Sequence, residues 1–197
     1  MRFVLFAVAA VILSSCYTAT YRFSPESSNY GIEFRKGTWL LNEIESPPYV
    51  KEELTALAIE NFRSYLKDDL VYIRDTPALL GTRKIPLNPD REALKALKSG
   101  TGFDYIINIK AQEIKDELGG LQASQTDYPG TNLATVTLEI YDLENLEIIY
   151  LQHVRGSVSP NRIKEDVSFI TTNEQILKKS FKKIFKKIEK NHTIKRD

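Results

Sequence analysis

The chain has few of the residues on which catalysis and disulfide bonding rely. It contains one cysteine and two histidines among 197 residues. One cysteine cannot close an internal disulfide, so packing alone must hold the fold. His153 and His192 have no partners at metal-ligand spacing, and neither an HExxH nor a GxSxG motif occurs. We therefore predict a protein that is not an enzyme and holds no metal or cofactor, with His153 in a strand and His192 solvated.

The sequence also lacks an excess of either charge. Lysine and arginine number 27 against 26 aspartates and glutamates, for a formal net charge of +1. A chain this close to neutral does not present the broad positive field that nucleic acids attract. We predict no nucleic-acid partner.

No apolar run is long enough for a permanent transmembrane helix, which needs about 20 residues. The longest extends from Phe3 to Leu13 and follows Met1 and Arg2. A positive charge, a short apolar run and then small residues are typical of a secretory signal peptide. We assign residues 1–15 to such a leader.

Leu13-Ser14-Ser15-Cys16, which ends this leader, resembles the lipobox of bacterial lipoproteins. The resemblance implies cleavage before Cys16 and acylation of Cys16, with palmitate-type chains that anchor the protein in a membrane. The alternative is an ordinary signal peptide followed by an unpaired cysteine, which would be a liability in an exported protein. Tyr17 after the cysteine favours the outer membrane of the cell envelope, because an aspartate there marks inner-membrane retention in enterobacterial lipoproteins.

Composition divides the remaining chain into three parts. Residues 16–36 hold the candidate lipidated cysteine and are rich in Ser, Thr and Tyr without periodicity, which predicts a flexible tether. Residues 37–190 alternate apolar and polar positions and predict one domain. Residues 191–197 form a charged tail.

Within the domain, the patterns predict an α+β fold. Period-2 alternation predicts five strands, and helical periodicity predicts three helices. Asn88 and Pro89 are expected to begin the second helix, Gly100 to end it, and Thr172 with Gln175 to form a capping box on the third. The expected strands are 37–45, 70–74, 103–114, 134–141 and 148–158, and the helices are 50–67, 89–98 and 173–190. This β-α-β-α-β-β-β-α order predicts a mixed five-stranded sheet that carries the helices and ends in an antiparallel meander.

Two turn motifs carry a second resemblance. Thr101-Gly102-Phe103-Asp104-Tyr105 resembles the start of a strand in the periplasmic fold of curli-secretion lipoproteins, penicillin-binding-protein-activator lipoproteins and the TolB amino-terminal domain. Asp142-Leu143-Glu144-Asn145-Leu146 matches their Asp-x-x-Thr-Gly hairpin in part, since Leu146 replaces glycine and Asn145 is expected to tolerate positive φ. The resemblance implies a fold and a compartment rather than a site.

The last helix is the strongest candidate for a contact surface. An apolar stripe lies opposite a basic face, a pattern found both in helices that pack on a sheet and in helices that lie on anionic membranes. The expectation is that the stripe packs on the sheet, and that the basic face meets acidic lipids, polysaccharide or an acidic protein. That face consists of Lys178, Lys179, Lys182, Lys183, Lys186, Lys187 and Lys190.

These observations favour a non-catalytic, lipid-anchored envelope protein that docks onto another envelope protein or assembly. The expected contact surfaces are edge strands, the loop at 75–88 and the loop at 115–132. The alternative is an envelope protein that binds a small ligand or glycan, in a groove around Trp39 and Tyr105. The sequence does not determine the oligomeric state.

Overall fold

The computed structural model describes residues 16–76, 85–122, 130–160 and 168–195. The predicted leader lies outside these residues, as do parts of the predicted loops 75–88 and 115–132. Eleven strands and three α-helices are described. The strands are β1 (Cys16–Tyr17), β2 (Thr20–Phe23), β3 (Glu33–Phe34), β4 (Trp39–Leu41), β5 (Leu70–Tyr72), β6 (Tyr105–Asp116), β7 (Leu121–Gln122), β8 (Asn132–Asp142), β9 (Glu147–Val158), β10 (Ser168–Ile170) and β11 (Thr193–Ile194). The helices are α1 (Pro48–Leu66), α2 (Arg91–Thr101) and α3 (Asn173–Asn191).

The main sheet has six strands in the order β2-β9-β8-β6-β4-β5. Strand β4 pairs in parallel with β5 and β6, while β6, β8, β9 and β2 pair antiparallel. The α+β class, the mixed sheet and the antiparallel meander are therefore confirmed. The expected count of five strands was wrong, because Thr20–Phe23 adds a sixth strand at the β9 edge. This strand lies within the segment for which the sequence predicted a flexible tether.

One face of the sheet carries the aromatic core beneath α1 and α3. Phe34, Trp39 and Phe62 are at most 1% exposed, and Phe62 meets Phe185 of α3 edge to face at 5.1 Å. Tyr105, Ile107, Ile109 and Ala111 of β6 are also buried, as the alternation in this strand predicts for one face. The apolar stripe of α3 is buried as well, so this helix serves as the cover that the domain requires.

The opposite face carries buried polar as well as apolar side chains and is partly covered by residues 85–90. The carboxylate of Glu139 is buried there and accepts hydrogen bonds from Tyr141 Oη and from the backbone N–H of Asn88, both at 2.8 Å. Burial, together with the neighbouring carboxylate, raises the pKa of Tyr141. Asn108 reaches the same segment by donating to Pro86 O at 3.1 Å. These bonds fix the loop that leads into α2.

Helix α2 begins and ends later than the sequence predicted. Asp90 rather than Asn88 is the N-cap, and its carboxylate accepts from Ala93 N at 2.7 Å. Asn88 has a φ of 50° and donates its N–H to Glu139, so it belongs to the loop. Gly102 rather than Gly100 ends the helix, with the left-handed φ of 74° that glycine adopts without strain. The capping box of Thr172 and Gln175 on α3 is confirmed.

The turn between β8 and β9 is organised by an aspartate. Asp142 Oδ1 accepts from the backbone N–H groups of Glu144 and Asn145 at 2.8 and 3.0 Å. Positive φ falls on Leu146, at 56°, and not on Asn145 as expected. The Asp-x-x pattern therefore marks this turn correctly even though glycine is missing from its end.

Candidate functional site

Cys16 is held directly against the body of the domain. It is exposed and begins β1, which pairs in parallel with β10 so that Cys16 lies opposite Phe169. Thr171 donates its N–H to Tyr17 O at 3.1 Å, and Ala19 N donates to Thr171 Oγ1 at 3.3 Å. The chain is thus tied to the residues before α3 from the first residue after the cysteine. This contradicts the expectation that a flexible spacer separates Cys16 from the fold.

Two exposed apolar side chains share a row with Cys16. Phe169 lies opposite both Cys16 on β1 and Leu121 on β7, and directly opposed residues project from the same face of a sheet. Phe169 is 50% exposed and Leu121 is 58% exposed, whereas Ser168 and Ile170 on either side of Phe169 are buried. We call Cys16, Phe169 and Leu121 the anchor row. No local sequence pattern indicates the anchor row, because it is assembled from three separate segments.

The basic face of α3 is smaller than the sequence predicted. Five of its lysines are exposed, namely Lys179, Lys182, Lys183, Lys186 and Lys190. Lys178 is committed to ion pairs with Glu53 at 2.6 Å and Glu174 at 2.7 Å. Within the described residues it is the only α3 lysine with an ion pair. The exposed lysines therefore present positive charge that these residues do not neutralise.

Lys187 does not belong to that exposed face. Its Nζ donates to Ser28 O at 2.7 Å and to Gln152 Oε1 at 2.9 Å, and it lies 4.7 Å from the centre of the Phe23 ring. Desolvation by burial lowers the pKa of this ammonium. The prediction that Lys187 is a surface contact was wrong, because the residues after β2 fold back over it.

Trp39 and Tyr105 do not form an open groove. Their rings stack 4.1 Å apart, Trp39 is fully buried and Tyr105 is 8% exposed. Trp39 Nε1 donates to Arg35 O at 3.2 Å. A ligand could not stack on this indole without displacing core residues, so this candidate groove is corrected to part of the core.

Both histidines have structural contacts. His153 lies in β9 as predicted, and its Nδ1 is 2.8 Å from Thr137 Oγ1. His192 is partly buried rather than solvated, with its ring 4.5 Å from that of Tyr65. The chain after it pairs with β3 through β11, so part of the predicted charged tail is packed on the domain. No group of three or more His, Cys, Asp or Glu side chains arranged to hold a metal occurs in the described ranges.

An open hollow lies where β2 meets β9. Its volume is about 560 Å³, and Arg22, Arg155, His153 and Ser157 are among the residues that line it. A second hollow lies between α1 and α3 and includes Leu57, Tyr65, Lys182 and Lys186. The first hollow was not expected from the sequence, because the composition of residues 16–36 predicted a tether, in which Arg22 has no strand partner.

None of the described helices is long and apolar enough to cross a membrane.

Comparisons with known proteins do not assign the chain to a family. No protein-family model and no curated protein matches it. Solved structures similar to it include the PelC dodecamer from Paraburkholderia phytofirmans, with 14% identity, a TM-score of 0.43, and 86% of this chain and 96% of that chain covered. Lipoprotein GNA1162 from Neisseria meningitidis has 10% identity and a TM-score of 0.43, covering 79% and 99%. The hypothetical protein CT253 from Chlamydia trachomatis has 16% identity and a TM-score of 0.40, covering 79% and 98%.

Likeness at these TM-scores and identities carries no argument about function. None of these three structures is described as a curli-secretion lipoprotein, an activator of penicillin-binding proteins or TolB. The resemblance of the two turn motifs to those families therefore stays a prediction. The sequence and the geometry of the chain itself show an α+β domain with an exposed cysteine at its surface.

Proposed function

We propose that this protein is a non-catalytic, lipid-anchored protein of the bacterial cell envelope whose domain docks onto another envelope protein. Acylation of Cys16 is the first part of the proposal. It is supported by the lipobox-like sequence before Cys16 and by the exposure of Cys16 at the end of β1. Several acyl chains, at about 0.8 kcal/mol per buried CH2, make such an anchor effectively permanent.

The observation that carries the proposal is the position of Cys16 within a paired strand. A lipid attached to this residue starts directly at the surface of the domain, because Cys16 pairs with Phe169 and Tyr17 pairs with Ile170. The domain then rests against the bilayer instead of standing away from it. Phe169 and Leu121 lie beside the lipid, where apolar side chains are favourably removed from water.

Docking is the second part of the proposal, and it is assigned to α3. The hollow between α1 and α3 is lined by apolar Leu57 and by Tyr65, together with Lys182 and Lys186 and, among the described residues, a single acid, Glu189. An acidic segment of a partner protein matches this combination, because opposite charges steer the encounter and apolar contacts supply affinity.

The anchor is tested by mass spectrometry of the mature protein purified from a bacterial host. We expect a chain that begins at Cys16 and carries diacylglycerol and an N-acyl group, together with membrane fractionation of the protein. Cys16→Ser should leave a chain that is neither acylated nor cleaved before residue 16, whereas the matched Ser15→Ala variant should be processed normally. An intact leader, or a mature terminus with a free thiol, would contradict the anchor.

The same membranes test docking through chemical cross-linking. A defined envelope partner should be recovered with the native chain and lost in Lys182→Glu/Lys186→Glu. The control is Lys95→Glu, a charge reversal at an exposed position on α2. Recovery of the same proteins from all three chains would refute docking at this hollow while leaving the anchor intact.

A further inference from the structure

Arg22 and Arg155 face each other across the outer strand pair of the main sheet. They are register partners on β2 and β9, and both are exposed. The Cβ atoms of directly opposed residues in an antiparallel pair lie about 4.5–5.5 Å apart, and like charges in that position destabilise a sheet. Neither guanidinium has an ion pair in the part of the chain that the structure describes. Among the described residues, the two positive charges therefore lie side by side without an ion-pair partner.

The two arginines project from the sheet face opposite α3. Tyr21 lies on the α3 side, with Lys183 Nζ 5.1 Å from its ring centre. Gly156 lies opposite Tyr21 and has no room for a Cβ, which would overlap Ile176 of α3. Because successive strand residues point to opposite faces, Arg22 and Arg155 face away from this helix. They line the open hollow of about 560 Å³, a size within the range of small-ligand sites.

The remaining lining of the hollow suits an anion. Thr20, Ser24 and Ser157 bring hydroxyl groups, His153 brings an imidazole, and no described lining residue is an aspartate or glutamate. The 2.8 Å contact between His153 Nδ1 and Thr137 Oγ1 holds the ring in place. Among the described residues, two cationic side chains and several neutral donors thus line the hollow, and no carboxylate there would repel a bound anion.

We propose that this hollow binds a phosphate group between Arg22 and Arg155. Each guanidinium offers a planar fork of N–H donors, and charge-assisted bonds of this kind are the strong ones. A phosphate has enough oxygens to engage two forks at once, whereas a carboxylate is satisfied by one. Binding also removes the repulsion between the two arginines. The site does not depend on acylation of Cys16.

The phosphate has two chemical sources, a soluble phosphate compound or a lipid headgroup. Arg22 follows Cys16 by six residues, which span at most about 22 Å when fully extended. If Cys16 carries a lipid, bilayer phosphates therefore come within reach of the hollow. The experiment must separate these sources.

The test is a titration of the purified chain, in an uncharged detergent, followed through the Nε–Hε NMR signals of its arginines. Inorganic phosphate should shift the Arg22 and Arg155 signals saturably, and acetate at equal ionic strength should not. Arg22→Gln/Arg155→Gln lacks both reporter signals, so its phosphate binding is compared with that of the parent by isothermal titration calorimetry, and it should be at least tenfold weaker. The control Arg63→Gln/Arg91→Gln removes two exposed arginines elsewhere and should change it less than twofold.

A second arm repeats the titration in phosphatidylglycerol bilayers. Arginine signals that are already shifted before phosphate is added identify the headgroup as the source, and signals that still respond to added phosphate identify a soluble one. Signals that respond linearly or not at all in both arms overturn the proposal. Equal binding by the two double variants also overturns it. Circular dichroism of each variant, together with the charge-retaining Arg22→Lys/Arg155→Lys, separates lost binding from lost folding.

Discussion

At the scale of the residue, two neighbouring lysines of α3 have opposite environments. Lys187 Nζ donates to Ser28 O and Gln152 Oε1, whereas Lys186 is exposed at the hollow between α1 and α3. Sequence pattern alone gave them the same role. The difference arises because residues 24–28 continue along β9 and bring a backbone carbonyl over one lysine but not the other.

Replacing these lysines by methionine should therefore affect stability differently. Lys187→Met removes the donor to Gln152 Oε1, which belongs to a fully buried side chain, whereas Ser28 O still accepts from Gln152 Nε2. We expect a loss of about 1–3 kcal/mol in the free energy of unfolding, because a buried acceptor is left without its partner. Lys186→Met changes an exposed side chain and should stay within about 0.5 kcal/mol of the parent. Urea unfolding of both variants measures the difference. Equal stabilities would mean that the Lys187 bonds contribute nothing.

Asp104 shows what a turn motif determines. Its carboxylate accepts from Thr38 N at 2.9 Å and from Lys98 Nζ at 2.8 Å, joining the starts of β4 and β6 to the end of α2. The Lys98 hydrogen bond, followed by the bonds from Thr38, holds the pKa of Asp104 below its usual value. The motif that resembled a family signature is thus a structural junction, although the residues that it joins could not be identified from the motif.

At the scale of the element, β2 is the largest departure from the sequence prediction. Its four residues pair with residues 154–157 of β9, and the chain continues beside β9 afterwards. Ser27 and Ser28 extend this pairing with their side chains: His153 N donates to Ser27 Oγ at 2.9 Å, and Leu151 N donates to Ser28 Oγ at 3.0 Å. A serine-rich segment, typical of a linker by composition, here completes the edge of a sheet.

Hydrogen exchange tests whether this segment is a strand or a tether. We expect about every second amide of residues 20–24, those that face β9 as Ser24 N does, to exchange more slowly than in an unstructured peptide, because pairing with β9 protects them. Ser27→Ala/Ser28→Ala should speed their exchange, whereas Ser99→Ala on α2 should not. Mass spectrometry of peptic peptides provides the measurement. Exchange as fast as in an unstructured peptide would show instead that this segment is a flexible tether.

At the scale of the whole molecule, the proposed lipid on Cys16 would place the anchor row against a membrane. Leu121 lies two strands away from Cys16 on the small sheet, at the same register position. Ile148 lies at the far end of β9, roughly nine residues before the Ser157 position that pairs with β2, or about 30 Å at 3.4 Å per residue. Both side chains are exposed, at 58% and 43%. The two side chains are both apolar and exposed and lie at opposite ends of the domain, so each position serves as the control for the other.

Nitroxide labels at these two positions test the orientation. In the acylated chain on vesicles, a label on Leu121→Cys should be accessible to oxygen and shielded from a water-soluble nickel complex. A label on Ile148→Cys should show the reverse, because that end faces water. If both labels are equally water-exposed while the chain remains membrane-bound, the lipid is attached but the domain does not rest on its anchor row.

The sequence determined those features that depend on neighbouring residues. Alternation located the long strands, periodicity located α3, and Thr172 with Gln175 defined its start, because each of these signals is local. It also indicated Cys16 as the candidate lipid attachment site, from the run of residues before it.

Only the tertiary structure decided which distant residues meet. Cys16–Tyr17 and Thr20–Phe23 became strands because β10 and β9 offered unpaired edges. Trp39 became core because Tyr105 and Phe34 enclose it. Arg22 became half of a charged pair because β9 places Arg155 opposite it. Pairing register and burial arise between segments far apart in the chain, and no local pattern encodes them.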